Sequence, residues 1–344
     1  MSKAQARYYD IRNRSTMPFQ FIFGLRGCGK SYSGMDYMRE LHYEEQHPKF
    51  LYLRRTREEA DIVASDFGNP YKSLNNDKGY AVKSIGMKGV AGVGAFVENT
   101  GDGDEVLGYS VGLSSFAGLR SVDLDEVDNI LFDEAIPESH KRLIKDEGHA
   151  LLNLYETVNR NRELVGRKPV TLYVMGNAIR LNNPILATFN LIHEIQTMLE
   201  VGERRRTIPE RGIYIELVGN VTIASEKRNT ALYRLGVEAF NNEALSSDFV
   251  NDDMSAVKTN VDMRQYKPFL AFGDYGIYYN PSADVFHVCD AKGTFRSRLK
   301  ASEGQRFRLA FAPRYRILRA MDLITFKSYE TMLFMDELLG YEVT

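Results

Sequence analysis

The residues Gly24-Leu25-Arg26-Gly27-Cys28-Gly29-Lys30-Ser31 fit the pattern G-x-x-x-x-G-K-S/T at every fixed position. The spacing has a chemical reason. Glycines let successive backbone N–H groups curl around a phosphate that a side chain would block. The lysine reaches the β- and γ-phosphates, and the serine hydroxyl can ligate a divalent ion. Gly24, Arg26, Gly27, Cys28, Gly29, Lys30, Ser31 and the adjoining Tyr32 are therefore the candidate nucleotide-binding residues, with ATP the expected ligand. Cys28 reads as a small residue that fits the loop, and Arg26 as a second cation that clamps phosphate in cis or reports nucleotide state to a neighbour. Further along, Ile130-Leu131-Phe132-Asp133-Glu134 is an apolar run ending in two acids. Asp133 suits the Mg²⁺ shell together with Ser31. Glu134 suits a general base that polarises water. Such a pair points to a hydrolytic site of the additional-strand, catalytic-glutamate class.

These groups need strands and helices to bring them together. Phe19–Phe23 is nearly all apolar, as in a strand buried on both faces of a parallel sheet. The segment after Ser31 carries Met35, Met38, Leu41 and His42 at helical spacing, so a helix N-terminus faces the phosphate. Lys49–Arg55 reads as a second strand. Arg54, Arg55 and Arg57 leave its carboxyl end, either toward phosphate or nucleic acid or as a solvated strand end. Val170–Ala178 reads as another buried strand, with Asn177 sensing the γ-phosphate or simply closing a turn. Residues 80–113 have hairpin composition, which predicts an antiparallel insertion near 80–113. Lys83, Lys88 and the following Arg120 either project from it toward a polyanion or belong to a plain connection.

Residues 148–165 read as one helix. At about 100° per residue, Leu151, Tyr155 and Val158 form an apolar stripe, with Arg162 along it and Arg160 pointing away. Arg160 is then either a solvated arginine or a finger offered to a neighbouring subunit. From 254, three short strand-like runs read as a meander, followed by a helical end over Ile324–Gly340. Between Lys292 and Lys327 ten Lys or Arg face only Glu303 and Asp322. Arg296, Arg298, Lys300, Arg306 and Arg308 in this stripe are nucleic-acid candidates.

The chain has 344 residues, 44% of them apolar and 26% charged, with a formal net charge of −2. That fits a globular protein of more than one domain and excludes a global polyanion footprint. Two cysteines make no disulfide framework, and the six histidines show no ligand-spaced cluster that would predict structural zinc. No apolar run approaches the roughly 20 residues of a membrane span, and the first residues lack the apolar core of a signal peptide. A cytosolic protein is expected. The predicted fold is α/β: a P-loop (RecA/ASCE-like) ATPase domain with a mostly parallel central sheet over 1–200, a helical linker over 201–253, and a small α+β domain over 254–344.

FIFGLRGCGKSYS, FLYLRR, ILFDE, LLNLYETVNRNRE and a strand ending in GNA, in this order over roughly 18–180, closely resemble the DNA-packaging ATPases of phi-29-type small podophages. SEKRNTALYRLG in the linker looks similar too. The resemblance implies a homopentameric ring at the portal vertex of an empty capsid, translocating double-stranded DNA in the host cytoplasm while attached transiently to the procapsid. It also implies that the first arginine of R-N-R-E, Arg160 here, acts in trans. The C-terminal domain would resemble a vestigial RNase H-like nuclease; Asp274 and Asp290 end strands without a defensible third acid, so no nuclease activity is expected. That family docks on a phage-encoded structural RNA, which gives the basic stripe a reason, although direct contact with the portal would serve equally. A nucleic-acid helicase or other ring ATPase, and a nucleotide-switched capsid or RNA adaptor, share the same site residues and stay open at this stage.

Overall fold

The computed structural model describes residues 8–341 except 13, 88–91, 102, 117–123, 139–143, 145, 179, 220–225, 227–229 and 236–254. The chain divides into two compact units, 1–189 with 198–251, and 190–197 with 252–344.

The first unit is built on a nine-stranded sheet. Its elements in chain order are β1 (Phe19–Gly24), α1 (Lys30–Glu44), β2 (Lys49–Arg54), α2 (Arg57–Val63), α3 (Lys72–Lys78), β3 (Val82–Gly86), β4 (Val93–Asn99), β5 (Asp104–Gly112), β6 (Val127–Phe132), α4 (Glu147–Asn159), β7 (Thr171–Asn177), α5 (Pro184–Thr188), the end of α6 (Ile192–Val201, whose residues up to 197 belong to the second unit), β8 (Arg205–Ile208) and β9 (Ile213–Val218). A short α7 (Ala231–Arg234) follows. The strand order is β3-β4-β5-β2-β6-β7-β1-β9-β8. From β5 to β9 every pairing is parallel, whereas β4 is antiparallel to both β3 and β5, and β8 is antiparallel to β9. The central strands read as continuous apolar runs because both faces are covered. Phe21, Phe23, Phe50, Phe96 and Phe132 are all fully buried. Truncating any one of them to alanine removes about 3–5 kcal/mol.

A buried ion pair braces this core. Arg55, just past β2, donates from Nε and Nη2 to Glu147, the first residue of α4, at 2.7 and 3.0 Å. Burial pushes the Glu147 carboxyl upward, opposed by the guanidinium. Deleting one partner would strand the other charge, at a cost of about 3–5 kcal/mol.

The second unit carries a five-stranded sheet in the order β13-β10-β11-β12-β14. Its strands are β10 (Lys267–Phe272), β11 (Tyr275–Asn280), β12 (Val285–Asp290), β13 (Arg298–Leu299) and β14 (Ile324–Phe326); its long helices are α8 (Gly304–Ala320) and α9 (Tyr329–Leu339). The meander β10-β11-β12 is antiparallel. The helical end expected from Ile324 onward begins later. Ile324–Phe326 pairs in parallel with β12, as its β-branched residues favour. The helix starts after Ser328, whose Oγ accepts the Thr331 N–H at 3.2 Å.

His287 on β12 is buried, with Nδ1 2.9 Å from Thr325 Oγ1. Burial lowers its pKa from 6.5 to about 4. Between those values the unfolded chain binds more protons than the folded one, so stability rises with pH across this window and is level above it. We expect thermal melting of the second unit to lose on the order of 3 kcal/mol from pH 7 to pH 4. His287→Gln should flatten that part of the profile.

Candidate active site

Four parallel strands deliver the site to one edge of the sheet. Gly24 ends β1, opposite Asn177 at the end of β7 and Val218 at the end of β9. Asp133 follows β6, and its N–H donates to the Leu53 carbonyl of β2 at 3.1 Å. β7 therefore lies between the phosphate-loop strand and the acidic strand, which is the additional-strand arrangement that Asp133-Glu134 predicts.

The loop needs its glycines. Gly29 has φ +99°, and a Cβ there would sit 3.0 Å from the Tyr8 Cβ. Gly27 is also left-handed, at φ 65°. A Cβ on Gly24 would meet the Val218 carbonyl at 2.4 Å, so close strand packing also demands glycine. Lys30 is buried, its Nζ 2.8 Å from the Leu25 carbonyl, 3.3 Å from the Gly24 carbonyl, 3.6 Å from Cys28 Sγ and 3.3 Å from Asn177 Oδ1. Sequence reasoning named Lys30 and Asn177 separately; the fold places them in contact. Cys28 is buried, and Ser31 is exposed. The Tyr32 phenol is pushed up to about 12 by burial and by Asp77. Arg26 pairs with Glu138 at 2.8 Å.

The acids sit across the same cavity, of about 1040 Å³, which Arg26, Gly27, Gly29, Lys30 and Ser31 line together with Asp133, Glu134 and Asn177. Asp133 Oδ2 accepts the Tyr52 hydroxyl at 2.8 Å, and Oδ1 accepts the Glu134 N–H at 3.0 Å. Tyr52 is buried, and its pKa is driven well upward by burial and by Asp133, so it stays a donor. Glu134 has φ 54°, a backbone state that a glutamate adopts only when its surroundings impose it. Its carboxylate is half-exposed and receives Arg54 Nη2 at 2.5 Å, while Arg54 Nη1 lies 3.9 Å from Asp133.

This revises the arginines after β2. Arg54 turns to the acids of the neighbouring strand, and Arg55 is buried against Glu147. Only Arg57 remains exposed, 3.6 Å from Asp61. The helix expected over 148–165 also stops early. α4 ends at Asn159, Arg160 takes φ 47°, and Arg162–Val165 forms a 3₁₀ turn. Arg160 is half-exposed, with Nη1 3.0 Å from Asp125 Oδ1. Arg162 is buried against Asp128 and donates to the carbonyls of Asp125 and Val127 at 2.7 and 2.8 Å. Arg160 does not line the nucleotide cavity of its own chain.

Sequence reasoning missed the segment before β1. Tyr9 N–H donates to the Cys28 carbonyl and Ile11 N–H to Ser33 Oγ, each at 2.8 Å, so residues 8–12 strap the phosphate loop. Arg12 reaches Asp36 and Glu40 on α1. Of the nucleic-acid candidates, Arg296, Arg298, Lys300, Arg306 and Arg308 are all exposed. Arg319, also in the basic stripe, is instead buried against Asp336 at 3.1 Å. Lys83 is exposed on β3, and Lys88 and Arg120 lie outside the described residues.

The DNA packaging proteins of Bacillus phages PZA and phi29 are each 30% identical to this chain over 237 residues, covering 67% of it. The chain spans 62% of the length of these curated relatives. Among solved structures, the bacteriophage Phi-29 viral genome packaging motor assembly has the same fold, with a TM-score of 0.66 at 20% identity over 97% of this chain and 99% of that one. The description Podovirus DNA encapsidation protein (Gp16) matches residues 8–291, and the chain belongs to that family.

Proposed function

We propose that this protein is an ATP-hydrolysing motor that moves double-stranded DNA into a preformed capsid, working as a pentameric ring docked on the portal. The observation that carries this reading is the convergence of Lys30, Ser31, Asp133, Glu134 and Asn177 on one cavity at the carboxyl edge of a parallel sheet. Open α/β sheets bind ligands there. Kinship with DNA packaging proteins supports DNA as the substrate.

The Gly27–Ser31 backbone offers N–H donors to the phosphates, and Lys30 offers a buried cation beside Asn177. A serine hydroxyl and a carboxylate lining the same cavity form a hard-oxygen donor set that suits Mg²⁺. When bound, such an ion neutralises charge building on the β- and γ-phosphates. Tyr52 and the Glu134 N–H fix the Asp133 carboxylate in place for that role. Glu134 takes the proton from the attacking water once it leaves Arg54. Asn177, bonded to the lysine and adjacent to the loop in register, responds to the state of the terminal phosphate. Arg160 completes the site of a neighbouring subunit.

The exposed basic residues of 296–308 suit a polyanion, whether DNA or a structural RNA at the portal. No nuclease activity is proposed; Asp290 pairs with Lys327 at 2.6 Å. Among the described residues no helix is long and apolar enough to cross a membrane.

The test is DNA uptake by purified empty capsids, read as nuclease-protected DNA. The intact protein with ATP should package, and Lys30→Ala should lose both nucleotide binding and packaging. Hydrolysis accompanied by strand separation without capsids, and no uptake, would instead identify a helicase.

A further inference from the structure

At the opposite end of α1 from the phosphate loop, three side chains from distant parts of the sequence converge. His42 lies in the last turn of α1, His47 lies in the turn before β2, and Glu105 is the second residue of β5. Their nearest ligand atoms all lie within 4.8 Å of one another. His42 Nε2 is 3.1 Å from Glu105 Oε1 and 3.4 Å from His47 Nδ1. We propose that His42, His47 and Glu105 bind a divalent transition-metal ion of the zinc class.

The hydrogen-bond arithmetic points there. His42 Nδ1 is 3.0 Å from the Pro48 carbonyl, which can only accept, so Nδ1 carries the hydrogen. In the neutral ring Nε2 then presents a lone pair to a carboxylate oxygen. Two acceptors facing each other at hydrogen-bond distance need a cation between them. A proton would satisfy that pair alone, but the third atom, His47 Nδ1, converges on the same point. The spacing favours a metal. Bonds of roughly 2.0–2.1 Å in a tetrahedral site give ligand-to-ligand edges of about 3.3–3.4 Å; the His42–Glu105 and His42–His47 separations of 3.1 and 3.4 Å lie close to that, and the third pair lies within 4.8 Å.

The surroundings fit as well. A ligating histidine ordinarily donates its other ring N–H to a carbonyl or carboxylate that fixes its orientation, and the Pro48 carbonyl does so here. His47 has φ 52°, a left-handed turn that the backbone holds while the imidazole faces His42. His42 is buried, Glu105 is half-buried and His47 is exposed, so the ion has a rigid inner ligand and an open approach. Glu45, Glu126, Asp125 and Asp128 line the adjoining cleft beside Lys49 and Arg167, with Asp125, Glu126 and Asp128 ion-paired to arginine or lysine. Two imidazoles and a carboxylate select zinc-like ions over Mg²⁺. The fourth position is left for water. An ion here ties the last turn of α1 to the start of β5, stiffening the helix that begins at the phosphate loop.

The experiment is a Co²⁺ titration of the full-length, chelator-treated protein without nucleotide or Mg²⁺. We expect one equivalent per chain, the visible absorption of four-coordinate cobalt, and its displacement by Zn²⁺. His47→Ala and Glu105→Gln should each weaken binding by at least the roughly 10–100-fold that losing even an outer-sphere partner brings. Metal should raise the melting temperature of the parent and not of either variant. Because His47 is exposed, His47→Ala is expected to keep the parental melting temperature without metal, so lost binding cannot be blamed on misfolding. Binding only at millimolar cobalt, or a cobalt band that survives His47→Ala, would overturn the proposal.

Discussion

Replacing Glu134 by glutamine is expected to lower ATP turnover by roughly 10²–10⁴-fold, the usual contribution of a positioned general base. Nucleotide binding should stay within a few-fold of the parent. The amide has the shape of the carboxylate and can keep the φ 54° backbone, but it cannot take a proton from water. The geometry makes the base a guarded one. Arg54 Nη2 holds the Glu134 carboxylate at 2.5 Å, so the base is engaged until that pair opens. Arg54→Ala leaves the base in place, so it should lose far less turnover than Glu134→Gln. Steady-state phosphate release and equilibrium nucleotide binding, measured on both variants, separate the two effects. Equal losses would mean that the Arg54–Glu134 pair matters and the base does not. A glutamine variant hydrolysing at the parental rate would remove Glu134 from the mechanism.

What the sequence made legible was whatever its chemistry packs into contiguous residues. A phosphate loop needs its glycines, lysine and serine side by side, and Asp133-Glu134 need adjacency at a strand end, so both are readable without a fold. The inserted position of β7 followed from that acidic pair, and the parallel sheet from apolar strand runs. What depended on neighbours across the sheet was not legible. Tyr52 and Arg54 serve Asp133 and Glu134 because β2 lies beside β6, and nothing local to β2 encodes that partner. Arg55 looked like an outward cation because its partner Glu147 is far along the chain. Tyr9 and Ile11 strap the phosphate loop through backbone groups, which residue type does not reveal. α4 stops at Asn159 because Arg160 enters a left-handed conformation that helical periodicity does not anticipate in an arginine. α8 was missed behind its charge: ten basic residues drew attention to the stripe and away from Phe307, Phe311 and Tyr315, the buried helical face beneath it.

Arg160→Ala is expected to cost the assembled protein roughly 10³–10⁵ in hydrolysis, the range for an arginine supplied to a neighbour's transferring phosphoryl group. Arg160 pairs with Asp125, which precedes β6, whereas Asp133 follows that strand. The six residues of β6, at about 3.3 Å each, hold the two ends about 20 Å apart. The guanidinium cannot serve its own cavity, but its half-exposed position allows it to serve another copy's. Arg162 is the internal contrast. Buried against Asp128 and two backbone carbonyls, it fixes the turn after α4, so Arg162→Ala should lower the melting temperature instead. The decisive measurement mixes two inactive proteins. Arg160→Ala subunits retain Glu134, and Glu134→Gln subunits retain Arg160. If the arginine acts in trans, mixed rings contain interfaces in which one subunit supplies each group, and hydrolysis reappears on mixing. If the mixture stays as inactive as its components while the parent protein assembles and hydrolyses normally, Arg160 does not act across the interface.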